Sequence, residues 1–324
     1  MAILLALDFG GTKHTAGVVA WPFADKKPPA WSNLERQNSI PEANADSDLD
    51  IMFSLARKVL EGKQPAAIGI SFGGPVNYTK QRIILSHHVP GWNNIGLGEL
   101  FQDEFDCPVI IDNDANMAAI GEYTFGAGVG LQSLMYITVS TGVGGGIIFD
   151  GNLWHGVNSM AGEIGHTVVD PNGPLCLCGK HGCVERLASG PYMAQDAVKS
   201  LEKYPEKGSI LRQLARNNPE KVTATLINQA AELGDELAIN LLDRSAYALG
   251  VGIGNAANLI NPNCFILGGG VTKSGDRYWR EIHQAARKTA LPQVHFEILP
   301  AALGDDAPLW GAIASAEQCL SSPS

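Results

Sequence analysis

The sequence predicts an α/β protein of two domains, built as a duplicated fold with two facing halves. Three observations carry this. A strand–glycine turn–strand unit occurs twice, at Ile3–Leu7, Gly10-Gly11 and Thr15–Ala20, and again at Ser133–Val139, Gly142–Gly146 and Ile147–Asp150. Short apolar runs alternate with helical periods, and one of the runs ends in polar residues that open the next helix. The chain has 324 residues of which 45% are hydrophobic, enough core for two domains of ordinary size.

Ile3–Leu7 ends at Asp8, and Gly10, Gly11, Thr12 and Lys13 precede the second strand. Glycines there let backbone N–H groups approach a phosphate closely, although a glycine turn alone is also an ordinary hairpin. Asp8, at a strand end, is placed to hold Mg²⁺ through water, since that ion keeps part of its hydration shell. Residues 23–45 read as strand with loops. Between Asp46 and Leu60 the apolar residues Leu49, Met52, Phe53, Leu55, Ala56 and Leu60 recur at helical spacing. Ala66–Phe72 reads as a buried strand that ends in Gly73, Gly74 and Pro75, and residues 86–94 form a polar and aromatic loop.

Pro108–Ile111 is the next strand, running into Asp112, Asn113 and Asp114 and then a helical pattern through Met117, Ala118, Ile120 and Tyr123. Polar residues at such a strand end occupy the usual ligand position of open α/β sheets, and Asp112 or Asn113 also fits the helix N-cap. Ser140, Thr141, Gly142, Gly144 and their neighbours make the second glycine turn. Residues 189–250 are helix-rich and carry no visible chemistry. Ala246–Ile260 reads as a helix of small residues stopped by Asn261-Pro262. Cys264–Leu267 is a strand ending in Gly268, Gly269 and Gly270, a helix starts near Leu309, and Ser321–Ser324 reads as a solvated tail.

A formal net charge of −10 argues against a nucleic-acid surface, which is normally basic. An anionic nucleotide remains compatible, because backbone amides and helix N-termini bind phosphate locally. The opening MAILLALDFGG has no basic leader and reads as a strand, not a signal peptide. No run approaches the ~18 apolar residues of a membrane span. These features predict a cytoplasmic enzyme.

Three of the six cysteines, Cys176, Cys178 and Cys183, fall within eight residues, and His166 lies upstream. Three thiolates and an imidazole complete a tetrahedral zinc shell of structural type, with no open position for catalysis. Gly173, Gly179 and Gly182 lie between the ligands, where a chain folded tightly around an ion needs residues that accept positive φ. Ordinary buried thiols or disulfides are the alternatives; nothing here points to secretion, and neither needs the dense glycine or the upstream His. Glu163 and Glu185 bracket the cluster on short tethers.

GH, nine residues, then CxCGxxGCxE resembles the signature of the ROK family of sugar kinases and sugar-responsive repressors. DFGGTK resembles the first phosphate motif of the sugar-kinase, Hsp70 and actin superfamily. The Thr138–Gly146 unit resembles its second phosphate motif, and Gly268–Gly270 its adenosine motif. The resemblance spans essentially the whole chain with every motif in family order. It implies an actin-like ATPase (ribonuclease H-like) fold, with residues 1–116 and 307–324 in a small α/β domain and 117–306 in a large one carrying the zinc segment 166–183.

It further implies an ATP-dependent hexose kinase with ATP, Mg²⁺ and a structural Zn²⁺. Asp114 is the expected base. Gly74, Asn113, Asp114, Glu163, His166 and Glu185 are the expected sugar-binding residues, while His87, His88, Trp92 and Asn93 either face the sugar or belong to an ordinary surface loop. Asp8, Gly10, Gly11, Thr12, Lys13, Thr141, Gly142, Gly144, Gly268, Gly269 and Gly270 are expected to hold ATP. Family repressors carry a winged helix before the first phosphate motif, for which Asp8 leaves no room. No nucleic-acid or membrane partner is expected, and family members are commonly homodimers or homotetramers. The nine-residue linker Thr167–Leu175 is short, as in hexokinase-type members, and favours glucose over N-acetylated sugars. The rivals are a kinase for an N-acetylated hexosamine or fructose, a polyphosphate-dependent kinase, and a non-catalytic sugar sensor.

Overall fold

The structure, a computed structural model, describes residues 2–23, 27–86 and 89–321. His87, His88 and the end of the tail, Ser322–Ser324, lie outside the described residues. In chain order the first elements are β1 (Ala2–Phe9), β2 (Lys13–Trp21), β3 (Asn33–Asn38), α1 (Ala45–Leu60), β4 (Ala67–Phe72), β5 (Val76–Asn77), β6 (Arg82–Ile83), α2 (Leu97–Phe105), β7 (Val109–Asn113) and α3 (Asp114–Phe125). Then come β8 (Leu134–Val139), β9 (Val143–Phe149), β10 (Asn152–Leu153), α4 (Val184–Ala188), α5 (Gly190–Lys203), α6 (Ser209–Leu214), α7 (Ala224–Glu232), α8 (Glu236–Ile260), β11 (Cys264–Gly268), α9 (Gly275–Thr289), β12 (Glu297–Pro300) and α10 (Ala307–Ser321).

The duplication is visible in the sheets. One runs β3-β2-β1-β4-β7 and the other β10-β9-β8-β11-β12, the same succession of a meander and two later strands. Each strand–glycine turn–strand unit forms the middle of its own sheet. In the first sheet β1 and β2 pair antiparallel, whereas β4 and β7 join parallel to β1. Parallel strands buried on both faces read as continuous apolar runs, and the six residues of β4 are all buried.

The chain divides into two compact units: Met1–Tyr136, Gly146–Gly162 and Ala301–Ser324 form the first, and Ile137–Gly145 with Glu163–Pro300 form the second. This differs from a boundary at residue 116, which would cut α3 in two. Helix α3 stays whole because it packs on α10 with small residues at the crossing: a Cβ added to Gly121 would lie 2.3 Å from the Ala307 carbonyl oxygen. Glu122, fully buried on α3, accepts the N–H groups of Ala302 and Leu303 and so ties that helix to the segment entering α10.

The first unit's core is aromatic: Phe9 meets Trp92 and Phe101 edge to face, Trp92 meets Phe72 in the same way, Phe9 and Phe72 are tilted at 46°, and Leu7, Ile70 and Met52 belong to the same cluster. Trp92 is 1% exposed and donates its indole N–H to Asp48 Oδ2 at 3.3 Å. It is a core residue, so neither the sugar-facing nor the surface-loop alternative holds for it. Asn93 stays exposed beside it. In the second unit, α8 packs its small residues against α4 and α9, as the composition of Ala246–Ile260 predicts. Among the described residues no helix is long and apolar enough to cross a membrane.

Candidate active site

Strand register assembles the first half of the site. Pairing of β1 with β4 and of β4 with β7 puts Asp8, Ser71 and Asp112 abreast at three strand ends, with Phe9, Phe72 and Asn113 in the next row. Asp8 is 8% exposed, and burial, opposed by the Ser71 hydroxyl and Lys13, pushes its carboxyl up to about 6. A buried acid whose burial outweighs the compensation of its neighbours suits a group whose charge is to be met by a cation.

The turn after β1 has two different glycines. A Cβ on Gly10 would lie 2.8 Å from the Lys13 carbonyl oxygen, so Gly10 is demanded by the tightness of the turn itself. A Cβ on Gly11 would meet nothing within 4 Å, leaving room over the backbone for a ligand. Thr12 is exposed at the tip and Lys13 opens β2.

Asn113 and Asp114 stand where β7 becomes α3. Asn113 is the N-cap, its Oδ1 accepting the Ala115 N–H at 2.9 Å. Its Nδ2 donates to the Gly74 carbonyl at 3.0 Å, which joins these two expected sugar-binding residues directly. A Cβ on Gly73 would lie 3.9 Å from Asp114 Oδ2 and 4.0 Å from the Gly11 nitrogen, so Asp114 and the first glycine turn both border Gly73. Sequence reasoning left Asp112 and Asn113 as competing caps. The structure gives the cap to Asn113 and buries Asp112 at 2% exposure, accepting from the Asn113 N–H, Asn116 Nδ2 and His155 Nε2. His155 was missed; a lone histidine 43 residues from its partner leaves no sequence signal.

The second unit gathers the other expected residues around Val143. The turn after β8 is short, Ser140 N–H donating to the Gly142 carbonyl at 2.9 Å, with Thr141 exposed. β9 begins at Val143, so Gly144 to Gly146 are strand residues and not turn. The reason at Gly146 is packing: a Cβ there would lie 2.7 Å from the Ala115 carbonyl oxygen. Glu185 Oε2 accepts the Val143 N–H at 2.9 Å, and the 164–166 turn that carries His166 lies against the Val143 carbonyl, 2.0 Å from where a Gly165 Cβ would stand. Glu163, exposed, precedes that turn. At the end of β11, Gly269 has φ +91° and approaches the Val139 backbone, a position no other residue fits, while Gly270 opens on free space.

His166, Cys176, Cys178 and Cys183 bring their ligand atoms within 4.8 Å of one another. His166 Nδ1 is buried with no hydrogen-bond partner, as a nitrogen reserved for a metal would be. Burial, with Cys178 and Cys176 beside it, pushes the Cys183 thiol up to about 12, so ionising it calls for a cation. The set of three sulfurs and one nitrogen fits zinc. Gly179 and Gly182 have positive φ as expected, but Gly173 does not; its Cβ would lie 2.9 Å from the Gly182 Cα, so it is glycine for close approach. Arg186 grips the loop from behind, donating to the Leu175 carbonyl and to both oxygens of Asp196.

Two sheets of like order, each with a glycine turn at its centre, and acids at the strand ends define a sugar-kinase fold of the actin-like ATPase class. The sequence matches the ROK family over residues 4–319, and the chain belongs to that family. It is 42% identical to the glucokinase of Halalkalibacterium halodurans, over 75% of this chain and 74% of that one. It is similar in structure to a ROK glucokinase of Streptomyces griseus solved in complex with glucose and AMPPNP, with TM-score 0.82, 32% identity and coverage of 98% and 100%. Regulators share the family: a xylose repressor of Bacillus spizizenii is 31% identical over 85% of this chain and 67% of its own length.

Proposed function

We propose that the chain is an ATP-dependent hexose kinase of glucokinase type, with Asp114 as the base that receives the proton of the sugar hydroxyl. The observation that carries this is that Asp114 Oδ2 and the Gly11 nitrogen each come within 4.0 Å of where a Gly73 Cβ would stand, with the buried Asp8 at the head of the same glycine turn. A base next to an open glycine turn can serve a hydroxyl and a phosphate together.

The hydroxyl oxygen attacks the γ-phosphorus, its bond to the β,γ-bridging oxygen breaks, ADP leaves, and the hydroxyl proton passes to Asp114. Such transfer depends on positioning and charge neutralisation more than on covalent help from the protein. Gly74, Asn113, Glu163, His166 and Glu185 hold sugar hydroxyls. Asn113 is fixed for that work by its bonds to Ala115 and Gly74, and Glu185 by Val143. Backbone groups of Gly10, Gly11, Thr12, Thr141, Gly142 and Gly144, with the Lys13 side chain, receive the phosphates, and Gly268, Gly269 and Gly270 the nucleoside.

Asp8 would hold Mg²⁺ through water, and that ion supplies charge neutralisation at the phosphates. His166, Cys176, Cys178 and Cys183 would hold zinc, which serves structure by fixing the 163–185 segment. The protein would work in the cytoplasm. The regulator reading is disfavoured because a sensor has no need of Asp8, Asp114 and two intact glycine turns. An ADP-release assay with ATP–Mg²⁺ and a panel of hexoses tests the proposal; no turnover with any hexose would defeat it.

A further inference from the structure

We infer that Asp112 and His155 form a positioning pair that sets the geometry of Asn113 and Asp114 for phosphoryl transfer; this deepens the hexose-kinase reading and rests on it. Asp112 is the last residue of β7 before the two site residues, and its carboxylate is buried with all its bonds directed to them or to their support. Oδ1 accepts the Asn113 backbone N–H at 2.7 Å and Asn116 Nδ2 at 2.8 Å. It therefore pins the backbone on one side of Asp114 and the first turn of α3 on the other. Oδ2 takes His155 Nε2 at 2.6 Å.

A carboxylate 2% exposed is costly unless each oxygen is paired. His155 supplies the pairing that the strand and helix cannot. The ring is itself held in place, stacked on Tyr78 at 3.7 Å between centroids and 20° between planes. Its loop is closed by the Ala161 N–H donating to the His155 carbonyl at 3.0 Å, and anchored by Ser159 Oγ, which accepts the Tyr78 N–H at 3.2 Å. A loop merely crossing the surface has no need of a ring hydrogen-bonded to a buried carboxylate, a stacking partner and two anchors. Eight residues after His155 the same stretch of chain reaches Glu163, a proposed sugar ligand. The pair thus links a segment that leads to the substrate with the orientation of the base.

Kinetics of His155→Ala, His155→Gln, Asp112→Asn and the double variant Asp112→Asn with His155→Ala, using ATP–Mg²⁺ and the preferred hexose, test this. A small misplacement of a base costs up to about 10²-fold. His155→Ala should lower kcat by about 10- to 100-fold while the KM values for sugar and ATP stay within about threefold. His155→Gln, which keeps a side-chain donor, should recover most of the loss. The double variant should be no slower than the slower single variant, because both changes break one interaction. A kcat within about twofold of wild type in His155→Ala would overturn the inference. So would a loss confined to KM, a Gln variant no better than Ala, or additive losses in the double variant. Should His155→Ala fail to fold, the Gln and Asn variants carry the same comparison. A wild-type protein inactive on every hexose would instead defeat the kinase reading and take this inference with it.

Discussion

Asp114 and Asp8 make opposite demands on their surroundings. Asp114 is half-buried at the start of α3, beside the cap of that helix, where the N-terminal dipole favours negative charge. Replacing it with Asn should lower kcat by about 10²–10⁴-fold with the sugar KM within severalfold, since general-base assistance has that magnitude. Steady-state kinetics would check it, and retained turnover would remove Asp114 from the role. Asp8 is raised from its ordinary 3.8 to about 6 by burial. The folded protein therefore binds this proton more tightly than the unfolded chain, and the stability so contributed is present below about pH 4 and lost as pH rises through about 6. The shift corresponds to about 3 kcal/mol at most. Without Mg²⁺, Asp8→Asn should raise the Tm at pH 7 relative to wild type, with the gain vanishing near pH 4, while abolishing turnover. Melting curves across that range decide it; a pH-independent difference would show that Asp8 ionises freely in the fold.

At the scale of elements, the 163–185 segment illustrates how a loop with little regular structure is held. Its backbone has two isolated bridges, Val168 with Cys183 and Leu175 with His181, and further bonds such as the Val169 N–H to the Gly182 carbonyl at 2.9 Å and the Cys176 N–H to the Lys180 carbonyl at 2.8 Å. Side chains add to that order: Arg186 behind the loop, Tyr192, whose hydroxyl accepts the Leu177 N–H at 3.1 Å, and the four candidate ligands, whose atoms lie within 4.8 Å of one another. Because Glu163 and Glu185 lie at the two ends of this segment, loosening it should spoil sugar binding before chemistry. Cys178→Ala is expected to lose bound zinc and to raise the sugar KM or prevent folding, read by elemental analysis beside kinetics. Protein purified without chelator that contains about one zinc per chain would support the assignment; none would defeat it.

For the whole molecule the open question is which hexose is taken. A pocket dense in hydrogen-bonding groups rejects a sugar that lacks a contacted hydroxyl by ~10⁴–10⁵-fold, because buried polar groups are left unpaired. An added acetamido group needs space instead. The short Thr167–Leu175 linker keeps the segment beside His166 compact, so glucose is expected to exceed N-acetylglucosamine and N-acetylmannosamine by at least about tenfold in kcat/KM. The reverse order would change the substrate and leave the kinase reading standing.

The sequence alone determined the duplicated α/β architecture, the kinase family and the set of candidate ligands, because these are written in local periods and in residues close along the chain. Strands of buried apolar residues, glycine turns and the CxCGxxGC spacing each need only a few neighbours to be recognised. Tertiary structure alone decided which polar residue does what. It gave the cap to Asn113 and the buried pairing role to Asp112, placed in the core the Trp92 that the sequence left between the sugar and a surface loop, and put Gly144 to Gly146 into strand β9. It also kept α3 whole against α10, across a boundary that the chain order had cut. Each of these depends on partners tens to hundreds of residues away, such as His155 for Asp112 and Ala307 for Gly121. Packing and pairing at that separation leave no periodicity to read, since they are fixed by strand register and helix contact once the chain has folded.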